Sequence, residues 1–138
     1  MPLTTISLRI GTSPEYRRAI ADGIHQAMID ALEIPLDDRF QLVLEHAPEN
    51  MIQDPTFFGI ERSERSVFIQ IVVNQRPVAQ KQQLYRLIVE NLTIRPGVRA
   101  QDIFIGVVEV ARENWWAYAR QVNAAGVDDR PGGTRAEP

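Results

Sequence analysis

The sequence predicts an α/β domain in which a β-α-β unit occurs twice, so that four strands form one sheet with two helices on one face. Two observations carry this prediction. Strand, helix and strand patterns follow one another over about residues 2–46 and again over 67–110. The strands begin at residues 2 and 39 in the first unit and at 67 and 103 in the second, at intervals of 37 and 36 residues. Right-handed crossovers then place both helices on the same face of the sheet.

The first unit is predicted from alternation and from helix-start residues. Ile6–Ile10 alternates apolar and polar side chains, which is the pattern of a half-buried strand. Ser13-Pro14 starts a helix, because the serine hydroxyl can cap it and a proline fits its first position. Apolar residues at helical spacing extend this helix over about residues 14–32, and Ile34-Pro35 ends it. Renewed alternation predicts the second strand near residues 39–46.

The second unit repeats these patterns. Val67–Val73 is an almost continuous apolar run, of the kind found in strands that are covered on both faces. A helix is predicted over Gln80–Leu92, and Arg95–Gly97 stops it. Ile103–Val108 is the fourth predicted strand.

Three further segments lie outside the repeated elements. The connection at residues 47–65 contains the Phe57–Gly59 cluster and is predicted to be a lid or an interface element, with a floppy insertion as the alternative. The aromatic stretch at residues 113–118 is expected to pack over the sheet or against another subunit. Residues 126–138 are rich in Gly, Pro, Asp and Arg and are predicted to be a disordered tail, which leaves residues 1–125 as the domain.

Composition excludes several classes of function. The net charge of -3 gives no basic footprint for nucleic acid. The absence of cysteine excludes disulfides, thiolate catalysis and zinc-thiolate sites. No apolar run long enough for a membrane span and no secretory leader is recognisable, so a cytoplasmic location is expected. His25 and His46 have no partners at metal-ligand spacing, and no phosphate-binding loop is present, so neither metal nor cofactor is predicted.

The start of the chain is a candidate for chemistry. If Met1 is removed, the nitrogen of Pro2 becomes a secondary amine. A free α-amine has a pKa of about 7.7 to 8.0, and burial or a nearby cation lowers that pKa into the range of a general base. The alternative is structural, because a proline is tolerated at the first position of a strand.

A chain that begins Met-Pro and has two β-α-β units, with an arginine at the end of the third strand, resembles the tautomerase superfamily. Within it, the chain is most similar to the malonate semialdehyde decarboxylase branch. The resemblance implies catalysis by the amino-terminal proline without a cofactor, a small carboxylate substrate and a homotrimer. It runs from Pro2 to about Trp115 through Ile34–Gln41, His46, Pro48, Met51, Gln80-Lys81 and Asp102–Ile105.

The resemblance also implies roles for individual residues. Pro2 matches the catalytic proline, and Asp38 matches a carboxylate that positions or activates water in the decarboxylase. Of the two arginines at the end of the third strand, the second is kept as Arg76 and the first is replaced by Asn74. The decarboxylase sequence Asp-Trp-Ser-Phe-Gly becomes Asn-Trp-Trp-Ala-Tyr around Trp115. The predicted catalytic residues are therefore Pro2, Asp38 and Arg76, with Asn74 and Trp115 predicted to bind substrate, while the substrate itself stays open.

Placing Arg76 beside Pro2 rests on the resemblance. The residues alone allow the first and third strands to lie side by side and parallel, which would not bring Arg76 to the start of the first strand. If the two meet, a neutral Pro2 could isomerise a small 2-oxo acid or its enol while Arg76 binds the carboxylate. A protonated Pro2 would instead polarise a carbonyl while Asp38 activates water, as in a decarboxylase or hydratase of a small 3-oxo or unsaturated acid. A non-catalytic trimeric binding protein is the third alternative.

Overall fold

A four-stranded mixed sheet and two helices form the described part of the chain, residues 1–121 of a computed structural model. The strand order is β2-β1-β3-β4, and a two-stranded hairpin of β5 and β6 follows. The predicted tail, residues 126–138, lies outside the described residues. The predicted fold class is confirmed. The elements are β1 (Leu3–Arg9), α1 (Pro14–Leu32), β2 (Gln41–His46), β3 (Val67–Asn74), α2 (Val78–Ile94), β4 (Ile103–Val110), β5 (Trp116–Ala117) and β6 (Arg120–Gln121).

The two units join through antiparallel strands. Within each unit the pairing is parallel, β1 with β2 and β3 with β4. Between the units, β1 and β3 run antiparallel, from Leu3 opposite Val72 to Ser7 opposite Phe68. The expectation that these two strands lie parallel is therefore wrong. The physical reason is symmetry, because a two-fold axis perpendicular to a sheet reverses the direction of any strand that it relates to its equivalent.

The pseudo-two-fold relation is visible in the numbering of the first strands and the helices. The first strands begin at residues 3 and 67, and the helices begin at residues 14 and 78, so both pairs are 64 residues apart. Adding or subtracting 64 converts the cross-strand pair Thr4–Ile71 into Phe68–Ser7, and both pairs are present. The β-α-β unit that is repeated in the sequence is thus also repeated in the three-dimensional structure.

The helix boundaries follow from their local sequences. The Ser13 hydroxyl accepts a hydrogen bond from the Tyr16 amide at 3.1 Å, so α1 begins where the sequence predicts. Helix α1 ends at Leu32, and its C-cap residue Glu33 adopts a left-handed conformation with φ of 55°. Helix α2 begins at Val78, two residues before the predicted start. Its N-cap residue is Pro77, which makes no side-chain hydrogen bond and so gives no capping signal in the sequence. The exposed Val78 lies off the apolar face, so hydrophobic spacing does not reveal it.

Both helices pack on one face of the sheet and against each other. Gly23 lies at their crossing, where an added Cβ atom would be 2.9 Å from Leu92 Cδ1. The Asn91 amide donates to the Gly23 carbonyl oxygen at 2.9 Å across the same crossing. The side chains buried in this core include Ile6, Leu8, Ile20, Ile24, Met28, Ile69, Ile71, Leu84, Ile88 and Leu92.

The opposite face of the sheet carries no helix. In β3 the buried residues alternate with half-buried or exposed ones, so the prediction of a strand covered on both faces is wrong for this single chain. The run looks continuous because the helix-free face also carries apolar side chains. We call this surface the helix-free face. Its exposed apolar members are Leu3, Leu42, Leu44, Phe104 and Val108.

The connection between the units contains two short 3-10 turns, Pro48–Asn50 and Phe57–Gly59. Phe57 and Phe58 are exposed, with ring centroids 4.3 Å apart. The Arg62 guanidinium donates to the Phe57 carbonyl oxygen at 2.7 Å and ties the turn to the rest of the segment. Its role as a lid or interface element stays a prediction. Among residues 1–121, neither helix is long and apolar enough to cross a membrane.

Candidate active site

The antiparallel pairing brings the start of β1 to the end of β3. Because Leu3 lies opposite Val72, Pro2 falls beside the last residues of β3. Pro2 is buried, and Asn74 and Arg76 are only 4% and 7% exposed. A parallel arrangement would have separated Pro2 and Arg76. The antiparallel one brings both to the same end of the central strand pair.

Asp38 reaches the same place from the turn before β2. Its backbone N–H donates to the Pro35 carbonyl oxygen at 3.1 Å, and the Thr4 N–H donates to the Phe40 carbonyl oxygen at 3.0 Å. These bonds hold the turn alongside the start of β1. The Asp38 Oδ2 atom lies 3.5 Å from the Met1 amine. Its Oδ1 atom is buried and has no hydrogen-bond partner among residues 1–121.

The net effect of the surroundings of the amino terminus is to favour a neutral Met1 amine. Burial is the largest effect and lowers the pKa of the Met1 amine below its ordinary value of 8.0. The Asp38 carboxylate opposes this shift, whereas Arg76 and then Arg112 lower the pKa further. The chain end thus carries an amine whose protonation is balanced between one carboxylate and two guanidinium groups.

The two predicted substrate-binding residues contact each other. The Trp115 indole N–H donates to the Asn74 Oδ1 atom at 2.6 Å. Trp115 follows the 3-10 turn Arg112–Asn114, which leads the chain back from β4 toward the end of β3. Trp115 is half-buried, whereas the neighbouring Trp116 is 71% exposed. The hydrogen bond fixes the orientation of the Asn74 amide at the end of β3.

Glu109 is a residue of this region that the sequence reasoning missed. Its carboxylate accepts the Arg76 backbone N–H at 2.8 Å and the Lys81 ammonium at 2.6 Å. The hydrogen bond from Lys81, followed by that from the Arg76 backbone, lowers the pKa of Glu109. Glu109 pairs with Val73 in the parallel register of β3 and β4, so only the strand pairing shows that it lies near Arg76. Arg112 was missed for the same reason.

His25 has a structural place, as its position in the first helix predicts. It is buried, and its Nε2 atom lies 2.8 Å from the Leu36 carbonyl oxygen. This contact ties α1 to the turn that carries Asp38. Within residues 1–121, no group of three or more His, Cys, Asp or Glu side chains is arranged to hold a metal ion.

Comparison with known proteins identifies the family. Two sequence profiles, each described as a tautomerase enzyme, match residues 2–61 and 38–116. The chain belongs to the tautomerase superfamily. The probable tautomerase YusQ of Bacillus subtilis is 33% identical over 116 residues, which cover 83% of this chain and 91% of YusQ.

Solved structures of malonate semialdehyde decarboxylases are similar to this chain. One, described with decarboxylase and hydratase activities, is 29% identical with a TM-score of 0.79, covering 83% of this chain and 88% of that one. A second, inhibited by 3-bromopropiolate, is 36% identical with a TM-score of 0.78, covering 83% and 87%. The resemblance stated from the sequence is confirmed at the level of the superfamily.

Proposed function

We propose that this tautomerase is a cofactor-independent enzyme in which Pro2, exposed as the amino-terminal residue by removal of Met1, acts as general base and acid. Its substrate is a small 2-oxo acid or the corresponding enol. The observation that carries the proposal is the antiparallel register of β1 and β3, which places the chain start beside Arg76. The Asp38 carboxylate lies 3.5 Å from the amine of Met1, the residue next to Pro2, and so adds a carboxylate to the same region.

The proposed reaction moves one proton and changes no atom count. The Arg76 guanidinium binds the substrate carboxylate through two parallel hydrogen bonds. The neutral Pro2 nitrogen removes the enol hydroxyl proton, and a proton returns to the carbon next to the forming 2-oxo group. Asn74 and Trp115, joined by their hydrogen bond, hold the substrate at the end of β3. In the structure, burial lowers the pKa of the Met1 amine, and a similar environment around the exposed Pro2 amine would favour the neutral form that this base catalysis needs.

We further propose that the enzyme is a homotrimer. The helix-free face exposes apolar side chains, including Leu42 and Leu44 on β2 and Phe104 and Val108 on β4. Exposed apolar side chains on one face of a sheet are the kind of surface at which proteins interact. The matching strands of further copies would cover it.

The test is an ultraviolet assay of phenylenolpyruvate ketonisation with protein whose mass shows that it begins at Pro2. We expect a rate above background that falls in Pro2→Ala, because a flexible primary amine replaces the fixed secondary amine of the general base. Pro55→Ala, in the exposed connection between the units, is the matched control and should keep the wild-type rate. Absence of a rate from protein that begins at Pro2 would refute the proposed isomerisation.

Decarboxylation or hydration of a small 3-oxo or unsaturated acid is the second candidate. The observation that favours it is Asp38, whose carboxylate raises the pKa of the amine and could activate water. The similarity to malonate semialdehyde decarboxylases points the same way. Release of carbon dioxide from malonate semialdehyde, lost in Asp38→Asn, would support this candidate. A protein that begins at Pro2 and catalyses neither reaction would be the non-catalytic binding protein.

A further inference from the structure

A second cavity lies at the opposite end of β1 from Pro2. Its volume is about 280 Å³, at the lower end of the range for small-molecule pockets. We call it the β1-end cavity. Its lining residues are Leu8, Arg9, Ile10, Gly11, Thr12, Tyr16, Pro48, Glu64 and Arg65.

The pseudo-two-fold relation makes the β1-end cavity the counterpart of the Pro2 site. With the shift of 64 residues, Arg76 corresponds to Thr12 and Asn74 to Ile10, and both counterparts line the cavity. Arg112, which acts on the terminal amine, corresponds to Pro48, another lining residue. The duplicated fold therefore places equivalent chain positions at each end of the central strand pair, and at the β1-end cavity these positions line a pocket.

The counterpart of the reactive group cannot do the same chemistry. Pro2 corresponds to Ser66, whose nitrogen is held in a peptide bond, and Asp38 corresponds to Asp102. The Asp102 carboxylate is buried and accepts the Ser63 N–H at 2.6 Å and the Ser63 hydroxyl at 2.7 Å. The Ser66 hydroxyl donates to the Ser63 carbonyl oxygen at 3.1 Å. The acid thus orders a turn, and the β1-end cavity has no amine.

The cavity nevertheless keeps the features of a carboxylate-binding site. Arg9 and Arg65 line it against a single acidic residue, Glu64. The Arg65 guanidinium lies 5.4 Å from the centre of the Tyr16 ring, so this cation is held at the wall. The Arg9 side chain makes no hydrogen bond or ion pair with any of residues 1–121. Guanidinium groups placed in this way suit a carboxylate.

The remaining lining residues indicate what the non-carboxylate part of the ligand is. Leu8, Ile10 and Pro48 supply apolar surface, and the Tyr16 ring supplies a flat aromatic wall. We propose that the β1-end cavity is a second, non-catalytic site that binds a small organic carboxylate with an apolar or aromatic body. This inference does not depend on any reaction at Pro2.

Phenylacetate is a suitable probe, because it has a carboxylate and a ring but no oxo group for the Pro2 site to act on. The experiment is a nuclear magnetic resonance titration of the full, ¹⁵N-labelled chain, following the Gly11 and Thr12 amides at the cavity. We expect saturable shifts with phenylacetate and none with neutral phenylacetamide at equal ionic strength. Arg65→Ala should raise the dissociation constant for phenylacetate, measured at these amides, about tenfold, because a charge-assisted hydrogen bond is lost.

Two control variants show whether the shifts come from binding in the β1-end cavity. Arg86→Ala, which removes an exposed arginine paired with Glu90 on α2, should leave the binding curve unchanged. Arg76→Gln should abolish shifts at the Pro2 site and leave those of Gly11 and Thr12, so failure of one site does not imply failure of the other. Unmoved Gly11 and Thr12 amides, equal shifts with phenylacetamide, or an unchanged curve in both Arg65→Ala and Arg9→Gln would overturn the proposal.

Discussion

The hydrogen bond between Trp115 and Asn74 gives a prediction for a single residue. Trp115→Phe removes the donor and leaves the Oδ1 atom of the buried Asn74 without it. We expect the free energy of unfolding to fall by about 1–3 kcal/mol, the cost of an unsatisfied buried polar group. Urea unfolding measures this, and Trp116→Phe, at the exposed neighbour, should change it by less than about 0.5 kcal/mol. Equal effects of the two variants would contradict the role given to this hydrogen bond.

Asp38 and Arg76 should move the pH dependence of ketonisation in opposite directions. Asp38 raises and Arg76 lowers the pKa of the Met1 amine, and we expect the same two charges to act on the Pro2 amine once Met1 is removed. A general base is active above its pKa, so Asp38→Asn should shift the acid limb of the kcat/KM profile to lower pH. Arg76→Gln should shift that limb to higher pH and also raise KM, because the carboxylate loses its partner. Acid limbs that stay in place in both variants would exclude an amine controlled by these charges.

Whether a site residue can be predicted from the sequence depends on whether a motif or a family likeness marks it. The prediction that Pro2, Asp38 and Arg76 act together rests on likeness to a family, since no local pattern links residues so far apart in the chain. Glu109 carries no such mark, because a single glutamate in a strand resembles any solvated side chain. Its two contacts, with the Arg76 backbone and with Lys81, exist only once β3 and β4 are in register.

The crossing of the two helices gives a prediction for an element. Gly23→Val would force a side chain toward Leu92 Cδ1, which lies only 2.9 Å from the position of an added Cβ atom. We expect a loss of about 1–3 kcal/mol from overpacking, measured by urea unfolding with an unchanged m-value. Gln26→Val places the same side chain on the exposed face of α1 and serves as the control. A loss no larger at Gly23 than at Gln26 would show that the crossing has room.

Element types and their order could be predicted, whereas their relative directions could not. Alternation located β1 and β2, and Ser13-Pro14 located the start of α1, because these signals come from side chains adjacent in sequence. The antiparallel pairing of β1 with β3 comes from contacts between distant segments. The apolar run in β3 was misread for a related reason, since composition alone cannot say which face the helices cover.

The proposed trimer gives a prediction for the whole molecule. Phe104 is 67% exposed on the helix-free face, so Phe104→Asp would bury a charge in the proposed interface. We expect sedimentation equilibrium to give three chain masses for the wild type and a shift toward one chain mass for Phe104→Asp. Ile94→Asp, at the exposed end of α2, is the matched control and should remain trimeric. A monomeric wild type would refute the proposed assembly.

The antiparallel junction of the two units also determines which changes in chain length the Pro2 site can tolerate. The spacing between Pro2 and Arg76 is set by the ladder of paired residues from Leu3–Val72 to Ser7–Phe68. Residues added to the connection at 47–65 lengthen a detour outside this ladder and leave the spacing intact. One residue added inside β3 shifts every following pair and turns each side chain to the opposite face. The Pro2 site therefore tolerates insertions and deletions in the connection at 47–65, but not in β3.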